Sequence, residues 1–348
     1  MSTAVAPAAR SRKKRARRAP PDHSQALRRA FQLAFLALNA WIGVEFFLFV
    51  RYYETGGRTG WIARPSGVEG WLPIASLMNL KLLLATGEVP RLHPAGMFLL
   101  IAFLAMSWVF RKSFCSWLCP VGTVSEYLWR LGEQTFGRNF RLPRGLDIAL
   151  RSLKYILLGL FLYAVGAMSV AEIRAFLGGP YGLVDDVKML NFFRFLGATS
   201  AVSLAVLIFA SVFVQNFWCR YLCPYGALLG LAALASPLRI RRVESLCIDC
   251  GKCAKACPSA LPVDRLITIQ SAECTGCLEC VAECPAAGAL MMSAPAKKRV
   301  PAWAFAAGVA LLFLGVTGYA QWTGHWRSDL PSRVYVELIP QANQMAHP

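Results

Sequence analysis

Eight cysteines in the C-terminal third of the chain repeat one spacing twice, C-x2-C-x2-C-x3-C-P. The first copy contains Cys247, Cys250, Cys253 and Cys257, and the second contains Cys274, Cys277, Cys280 and Cys284. In this pattern three cysteines bind three corners of a cubane within one loop, and the fourth cysteine of each copy binds the other cluster. The spacing therefore predicts two 4Fe–4S clusters. Their ligands would be Cys247, Cys250, Cys253 and Cys284 for the first cluster, and Cys274, Cys277, Cys280 and Cys257 for the second.

The crossed ligands predict that residues 243–292 form one small ferredoxin-like α+β domain. Gly251 and Gly276 permit a tight backbone beside the middle cysteines, and Pro258 and Pro285 turn the chain after the fourth ligand of each copy. A pair of zinc sites is the alternative. Zinc sites collect four ligands in C-x2-C pairs, so the x2, x2, x3 spacing followed by proline favours clusters.

The other four cysteines form two C-x3-C-P pairs, each at the end of a long apolar run: Cys115 with Cys119, and Cys219 with Cys223. Residues i and i+4 share one helix face, so both thiols of a pair are expected to point the same way. Residues 107–123 align with residues 211–227, which indicates a duplicated helical hairpin. Four converging thiols would bind a third iron–sulfur cluster or a soft ion such as Cu(I). Alternatively, they are small apolar residues of buried helices.

The composition is that of a membrane protein. Hydrophobic residues make up 56% of the chain and charged residues 16%, against about a quarter charged in soluble domains. Five apolar runs predict transmembrane helices: residues 31–50, 95–110, 153–171, 196–217 and 302–321. We therefore expect an all-α polytopic membrane protein of about five transmembrane helices, with the small α+β two-cluster domain attached. Residues 71–87 are also apolar but contain Pro73, Asn79 and Lys81, so we interpret them as an interfacial or re-entrant helix on the outer face.

The net charge of +18 reflects basic residues that cluster beside the apolar runs, which favours membrane topology over nucleic-acid binding. The positive-inside rule predicts a bacterial inner-membrane protein whose N-terminus and ferredoxin domain are cytoplasmic and whose C-terminus is periplasmic. The expected organisation is a basic tail (1–30), a four-helix membrane core with both C-x3-C-P pairs (31–240), the ferredoxin domain (243–292), a fifth helix (301–322) and an outer tail (323–348).

The sequence contains no haem-binding pattern and only two candidate residues for quinol chemistry. The chain has no C-x-x-C-H sequence, and none of its four histidines lies in the middle of an apolar run, so a transmembrane haem has no ligands. No catalytic residue is assigned. Glu45 lies within the first run and His93 at the outer edge of the second, where they would receive protons from a quinol. The alternative for Glu45 is an ion pair with Arg51.

The sequences FCSWLCPVG and CRYLCPYG, followed by the two-cluster motif, resemble the membrane polyferredoxin family of NapH/NosR-type 4Fe–4S binding proteins. The oxidase-assembly copper reductase is related to this family. The resemblance covers residues 31–292. Two departures are expected: no large outer flavin domain precedes the first span, and a fifth span with a short outer tail follows the ferredoxin domain.

The resemblance implies an iron–sulfur electron-transfer protein that passes electrons between a quinol pool or cytoplasmic donor and a partner oxidoreductase, expected to be periplasmic. The alternative is a metal-assembly factor that reduces copper and binds it at the membrane cysteine pairs. A redox sensor that signals through partner contact is a further alternative.

Overall fold

A computed structural model describes residues 17–20, 22–140, 142–295 and 298–345. The first sixteen residues of the predicted basic tail lie outside this description. The helices, in chain order, are α1 Ser24–Glu54, α2 Pro73–Thr86, α3 Pro94–Val109, α4 Ser113–Trp117, α5 Pro120–Phe136, α6 Arg144–Ala167, α7 Val170–Gly178, α8 Pro180–Leu183, α9 Asp185–Arg194, α10 Ala198–Phe213, α11 Pro224–Leu234, α12 Lys252–Lys255, α13 Glu279–Ala282, α14 Ala302–Trp322 and α15 Ser332–Leu338. The first helix thus begins within the predicted tail, seven residues before the predicted span.

The mostly helical membrane architecture is confirmed, with fewer full-length spans than the five apolar runs suggest. Within the described residues, α1, α6 and α14 are each long and apolar enough to cross a membrane. Helix α10 meets that test only together with α9, from which it is bent by 80°. Helix α3 has 16 residues, about 24 Å at 1.5 Å per residue, and so falls short of a 30 Å hydrocarbon core.

Helix α3 lies at the centre of the bundle. Its side chains are apolar on every face, and α2, α11 and α14 pack around it. Ala95, Met97 and Met106 are fully buried against these neighbours. A helix that is apolar all round and covered by other helices is a core helix, so length and hydropathy alone do not distinguish it from a span.

The polar residues of the 71–87 segment anchor a short helix. Helix α2 has 14 residues, begins with Pro73 in its first turn and ends at Gly87, which adopts a left-handed φ of 74°. The side-chain amide of Asn79 donates to the carbonyls of Leu92 and His93 at 2.8 and 3.0 Å. Lys81 donates to carbonyls at the end of α6. These bonds tie α2 to the start of α3 and the end of α6.

A three-stranded antiparallel sheet accompanies the ferredoxin-type motifs, and its first strand lies just before the predicted bounds of 243–292. Its strands are β1 Arg239–Arg242, β2 Thr268–Ile269 and β3 Leu290–Ser293, in the order β2-β1-β3. Ile240 of β1 pairs with Ile269 on one side and Met292 on the other. All three side chains are buried in the same hydrophobic core as Met106 of α3 and Phe305 of α14. The ferredoxin-like domain therefore packs directly on the helical bundle.

Candidate metal centres

Electrostatic contacts among the eight ferredoxin cysteines favour two groups that exchange their fourth members, with one contact, between Cys280 and Cys253, running from one group to the other. The Cys284 thiol lies within electrostatic range of Cys247 and Cys250, and it acts in turn on Cys253. The Cys257 thiol lies within electrostatic range of the second copy's Cys274, Cys277 and Cys280. We call these sets the first and the second ferredoxin group. Each is a set of four soft sulfur donors, which suits an iron–sulfur cluster.

Left-handed backbone flanks the middle cysteine of each copy. Asp249 and Gly251 surround Cys250 with φ values of 55° and 69°, and Gly276 and Leu278 surround Cys277 with 64° and 63°. The two glycines predicted to be important thus occupy opposite sides of their cysteines, and an aspartate and a leucine adopt the matching conformations. Backbone N–H groups point at sulfurs nearby, as that of Glu279 does at Cys277. Such donors fit a cluster whose potential is tuned by hydrogen bonds.

The two ferredoxin groups differ in exposure. Cys250 of the first group is exposed, and Leu246 and Ile248, which flank Cys247 of the same group, are 44% and 45% exposed. Cys257, Cys274 and Cys280 of the second group are buried. The first group therefore faces solvent, whereas the second lies between the sheet and the helical bundle.

In both C-x3-C-P motifs the second cysteine caps a new helix. Cys119 has extended backbone angles (φ −65°, ψ 119°), and its Sγ accepts a hydrogen bond from the Gly122 amide at 3.4 Å. Cys223 has similar angles (φ −74°, ψ 103°) and accepts from the Gly226 amide at 3.2 Å. The two cysteines of a pair therefore do not share one helix face as expected, because proline disfavours helical backbone at the residue before it.

The four thiols of the C-x3-C-P motifs converge on one site despite this break. Burial, followed by charge on Cys223, Cys119 and Cys115, raises the pKa of the Cys219 thiol well above its usual value. All four cysteines line one cavity of about 950 Å³. We call this set the four-thiol site. A parallel duplication of the hairpin accounts for the way in which two motifs 104 residues apart meet.

Three charged side chains lie beside the four-thiol site. The Lys154 ammonium contacts both carboxylate oxygens of Glu273 at 2.6 and 2.7 Å. Lys112 is 4% exposed, and its ammonium lines the cavity. Burial alone would lower the pKa of Lys112, but charge on nearby Cys115, Glu273 and other thiols raises it, so the ammonium keeps its charge. Sequence analysis missed both lysines, because only their distance from the cysteines in space marks them.

The second ferredoxin group is bound directly to the first C-x3-C-P motif. The Ser116 hydroxyl donates to the carbonyl of Thr275 at 2.7 Å, and the Trp117 indole donates to that of Gly276 at 3.2 Å. Cys277, the next residue, lines the same cavity as the four thiols. The chain therefore brings the buried ferredoxin group and the four-thiol site to one cavity.

A buried ion-pair network reinforces this contact. Arg28 of α1 is 1% exposed and contacts both carboxylate oxygens of Glu126 in α5, at 2.6 and 2.7 Å. It also contacts Glu279 of α13 at 2.6 Å. Gln25 donates to the carbonyl of Cys277 at 3.0 Å. One arginine thus joins the first helix, the helix after the first C-x3-C-P motif and the ferredoxin-like domain.

His93 lies at the opposite end of the bundle, in a second buried ionic cluster. Its ring nitrogens are 3.6 Å from Glu69 and from Asp185, and Arg64 joins Glu69 to Asp186 at 2.7 and 2.6 Å. Burial alone would lower the pKa of His93, but the hydrogen bond to Glu69 and the nearby Asp185 raise it from 6.5 to about 9.

Glu45 does not join this ionic cluster. It lies half-buried on α1, with no hydrogen-bond or ion-pair partner in the part of the chain that the structure describes. The alternative for Glu45, an ion pair with Arg51, is absent there; Arg51 contacts Glu54 at 3.4 Å instead. Neither Glu45 nor His93 lines the cavity. Their part in quinol chemistry stays a prediction.

The cavity extends from the four thiols towards the opposite end of the bundle. Apolar side chains form most of its wall, among them Phe103, Leu100 and Phe313. Polar groups lie near its far end, where the Trp71 indole donates to Asn39 at 3.2 Å.

Across the described ranges, no group of three or more His, Cys, Asp or Glu side chains has the spacing of a single-ion site. In a cubane, by contrast, each thiolate binds a different iron, which spaces the ligands more widely.

Comparison with known proteins extends these observations. A family model described as a 4Fe–4S binding domain matches residues 92–141 and 196–242, which contain the two C-x3-C-P motifs. A model described as a 4Fe–4S dicluster domain matches residues 239–285. The putative electron transport protein YccM of Escherichia coli K12 is 50% identical over 326 residues, which cover 92% of this chain and 91% of that protein.

More distant relatives share the membrane core and the cluster motifs. The regulatory protein NosR of Pseudomonas aeruginosa is 29% identical over 236 residues, 64% of this chain and 32% of that protein. The ferredoxin-type protein NapH of Haemophilus influenzae is 27% identical over 183 residues, 50% of this chain and 59% of that protein. No solved structure matches the chain. The matches confirm the predicted iron–sulfur, electron-transport and transmembrane character; cluster number, copper and quinone stay predictions.

Proposed function

Because this chain belongs to the membrane polyferredoxin family of 4Fe–4S proteins, we propose that it conducts electrons between a soluble face and the membrane through three cysteine sites in series. The first ferredoxin group is the solvent-facing end, the second is the internal step, and the four-thiol site is the membrane end. One observation carries the proposal: Cys277 of the second group lines the cavity of the four-thiol site, while Cys250 of the first group is exposed.

Each part of the chain has a role in this series. The eight ferredoxin cysteines hold two 4Fe–4S clusters, which accept and donate electrons one at a time when bound. Backbone N–H groups such as that of Glu279 stabilise the charge on the sulfurs. Ser116, Trp117 and Arg28 hold the second group against the four-thiol site and exclude water from the contact.

The four-thiol site supports two occupants. A third cluster would extend the series into the membrane, and this occupant is supported by the match of a 4Fe–4S binding model to both motifs. Cu(I) is the second, because thiols are the soft donors that it prefers. A single ion would require the four thiols to move closer together, since no group of the described residues has the spacing of a single-ion site. In that case the ferredoxin clusters would reduce Cu(II), and the chain would act as a metal-assembly factor.

We further propose that the cavity admits a quinol from the bilayer. Its apolar wall suits an isoprenoid tail, and Asn39 and Gln321 provide polar groups for a ring. Glu45 and His93 lie off the cavity wall and would not touch the ring. Glu45 would take up a proton after oxidation, and His93, whose raised pKa keeps it protonated at neutral pH, would relay a proton only by first releasing its own. A partner oxidoreductase, expected on the periplasmic side, would exchange electrons with the chain.

The proposed orientation puts the ferredoxin-like end in the cytoplasm of a bacterial cell. Helix α1 starts beside that domain, where Arg28 contacts Glu279, and its other end packs on the C-terminal segment, where Phe49 contacts Tyr335. The two ends of the described chain therefore lie at opposite ends of the bundle. Proteolysis of spheroplasts tests the orientation: the segment after α14 should be cut from outside, and residues 243–292 should be protected.

The series is tested by electron delivery in liposomes. A short-chain quinol should reduce the ferredoxin clusters of the full chain, as followed by EPR. Cys119→Ala with Cys223→Ala should slow that reduction while dithionite still reduces both clusters. Unchanged quinol reduction in the double variant would remove the four-thiol site from the path. Copper bound by a chain lacking the eight ferredoxin cysteines would favour the metal-assembly role.

A further inference from the structure

Lys112 is a buried cation that faces the four-thiol site. It lies between α3 and α4, three residues before Cys115, and is 4% exposed. A Cβ placed on Gly226 would lie 3.5 Å from the Lys112 ammonium and 3.5 Å from the Cys223 sulfur. The ammonium and that sulfur are therefore neighbours on the cavity wall.

No hydrogen bond or ion pair reaches Lys112 from any residue that the structure describes. The nearest carboxylate, Glu273, already contacts Lys154 and accepts from the Tyr155 hydroxyl. The neighbouring cation, Arg111, donates to the carbonyls of Ala233 and Ser271 through its two terminal nitrogens, while its Nε has no hydrogen-bond partner among the described residues. Lys112 is thus buried without a bonded partner, whereas Lys154 beside it is paired with Glu273.

A buried ammonium without a partner is unfavourable, because it loses its hydration and receives no counter-charge. Four protonated thiols would leave Lys112 with the carboxylate of Glu273, already paired with Lys154, as its main nearby negative charge. Four thiolates around a metal centre would not, because the thiolates carry more negative charge than the core carries positive. The position of Lys112 therefore indicates that the four-thiol site holds a centre with a net negative charge.

We propose that the four-thiol site is built for an anionic metal–thiolate centre and that Lys112 supplies its buried counter-charge. This inference rests on the proposed function and adds the residue that sets the site's electrostatics. One-electron reduction of the centre, by an electron from the ferredoxin clusters, adds one negative charge beside the ammonium. Lys112 therefore favours the reduced state and raises the reduction potential of the centre.

The first test is a redox titration of the full chain, followed by EPR. Lys112→Met should shift the signal of the four-thiol centre to more negative potential or abolish it, while both ferredoxin signals persist. Lys112→Arg keeps the charge and should retain the signal near its original potential. Lys298→Met removes an exposed lysine and is the control for a general loss of charge. A centre with unchanged potential and occupancy in Lys112→Met would overturn the inference.

If copper is the occupant, the same variants apply with a different measurement. Lys112→Met should weaken Cu(I) retention by about 10- to 100-fold, the usual effect of losing a group that supports metal ligands. Lys112→Arg should retain copper. Equal retention in Lys112→Met and the original chain would contradict the role of the ammonium.

A second test uses thermal stability and remains informative if Lys112→Met binds no metal. A background variant carries Cys115→Ala, Cys119→Ala, Cys219→Ala and Cys223→Ala, and so has no thiolates for Lys112 to compensate. Lys112→Met should raise the unfolding temperature of that background and lower that of the loaded chain. A decrease in both would show that Lys112 serves packing alone. Absence of any centre from the original four-thiol site would instead contradict the proposed function.

Discussion

The hydroxyl of Ser116 lies 2.7 Å from the carbonyl oxygen of Thr275, so the residue after Cys115 holds the residue after Cys274. This bond joins the first C-x3-C-P motif to the buried ferredoxin group. The indole of Trp117 makes the next bond, to the carbonyl of Gly276. The two cysteine systems, which are about 160 residues apart in sequence, therefore form one continuous structure.

The exchange of fourth ligands predicts which cysteines act together. Cys284→Ala should alter the same EPR signal as Cys250→Ala, because both thiols belong to the first ferredoxin group. Cys257→Ala should alter the same signal as Cys277→Ala. Measurement of both signals in all four variants checks the assignment. A Cys284 variant that affects only the signal of the second copy would show that each copy holds its own cluster.

Two glycines at equivalent positions of the repeat predict opposite outcomes. A Cβ on Gly122 would lie 2.2 Å from the Cys115 carbonyl oxygen, whereas the nearest atoms to a Cβ on Gly226 are 3.5 Å away. Gly122→Ala should therefore push α4 and α5 apart and destabilise the chain by about 1–3 kcal/mol. Gly226→Ala should be tolerated.

Thermal unfolding and metal content of these two alanine variants check the prediction. The Gly122 variant should unfold earlier and lose metal from the four-thiol site, and the Gly226 variant should resemble the original chain. Equal behaviour of the two variants would mean that the close approach of Cys115 to α5 has no structural role.

Loss of Arg28 should be strongly destabilising. Arg28→Met leaves the buried carboxylates of Glu126 and Glu279 without their main counter-charge, which costs about 3–5 kcal/mol for a broken buried pair. Arg29→Gln, at the exposed neighbouring position, is the matched control and should change stability by less than about 0.5 kcal/mol. Denaturation in detergent measures both. Similar unfolding curves for the two variants would contradict a structural role for the network.

The His93 cluster predicts a loss of stability at alkaline pH. Because the pKa of His93 rises from 6.5 to about 9 in the fold, its protonated form stabilises the chain fully below pH 6.5. That contribution, about 3 kcal/mol at most, is lost as the pH rises through about 9. The charged groups that face the ring are Glu69, Asp185 and Arg64.

Unfolding temperatures measured at about pH 6, 8 and 10 check this dependence. His93→Gln should be less stable than the original chain at the lowest pH and should lose less stability at the highest. His325→Gln, which changes an exposed histidine, should follow the original curve. Parallel curves for the His93 variant and the original chain would show that the ring does not titrate in this range.

The cysteine spacing predicts most of the ferredoxin-like domain. Ligand geometry restricts a C-x2-C-x2-C-x3-C-P pair to very few backbone paths, so the short sheet and the convergence of Cys284 and Cys257 on opposite copies follow from it. The left-handed backbone of Leu278 could not be predicted from the sequence, because leucine rarely adopts that conformation. Leu278 adopts this backbone because it follows Cys277 in the second copy, as Gly251 follows Cys250 in the first.

Charged residues inside the fold were less predictable. Arg28 finds its carboxylates 98 and 251 positions away, and no local pattern connects residues so far apart in sequence. Lys112 could have been singled out, since a lysine next to an apolar run and close to a cysteine motif is unusual. Its unpaired state depends on how Glu273 and Lys154 are placed, which only the packed structure gives.

The number of spanning helices shows the limit of hydropathy. Residues 95–110 are apolar enough for a span, but their helix lies at the centre of the bundle, surrounded by α2, α11 and α14. Burial by protein and burial by lipid select the same residues. Only the neighbours of Ala95 and Met106 distinguish the two cases.

Iron and acid-labile sulfide in the anaerobically purified full chain test the central claim most directly. The account predicts about eight irons and eight sulfides per chain for the two ferredoxin groups, and about twelve of each if the four-thiol site holds a third cluster. A well-folded chain that is colourless and free of iron after anaerobic handling would contradict it.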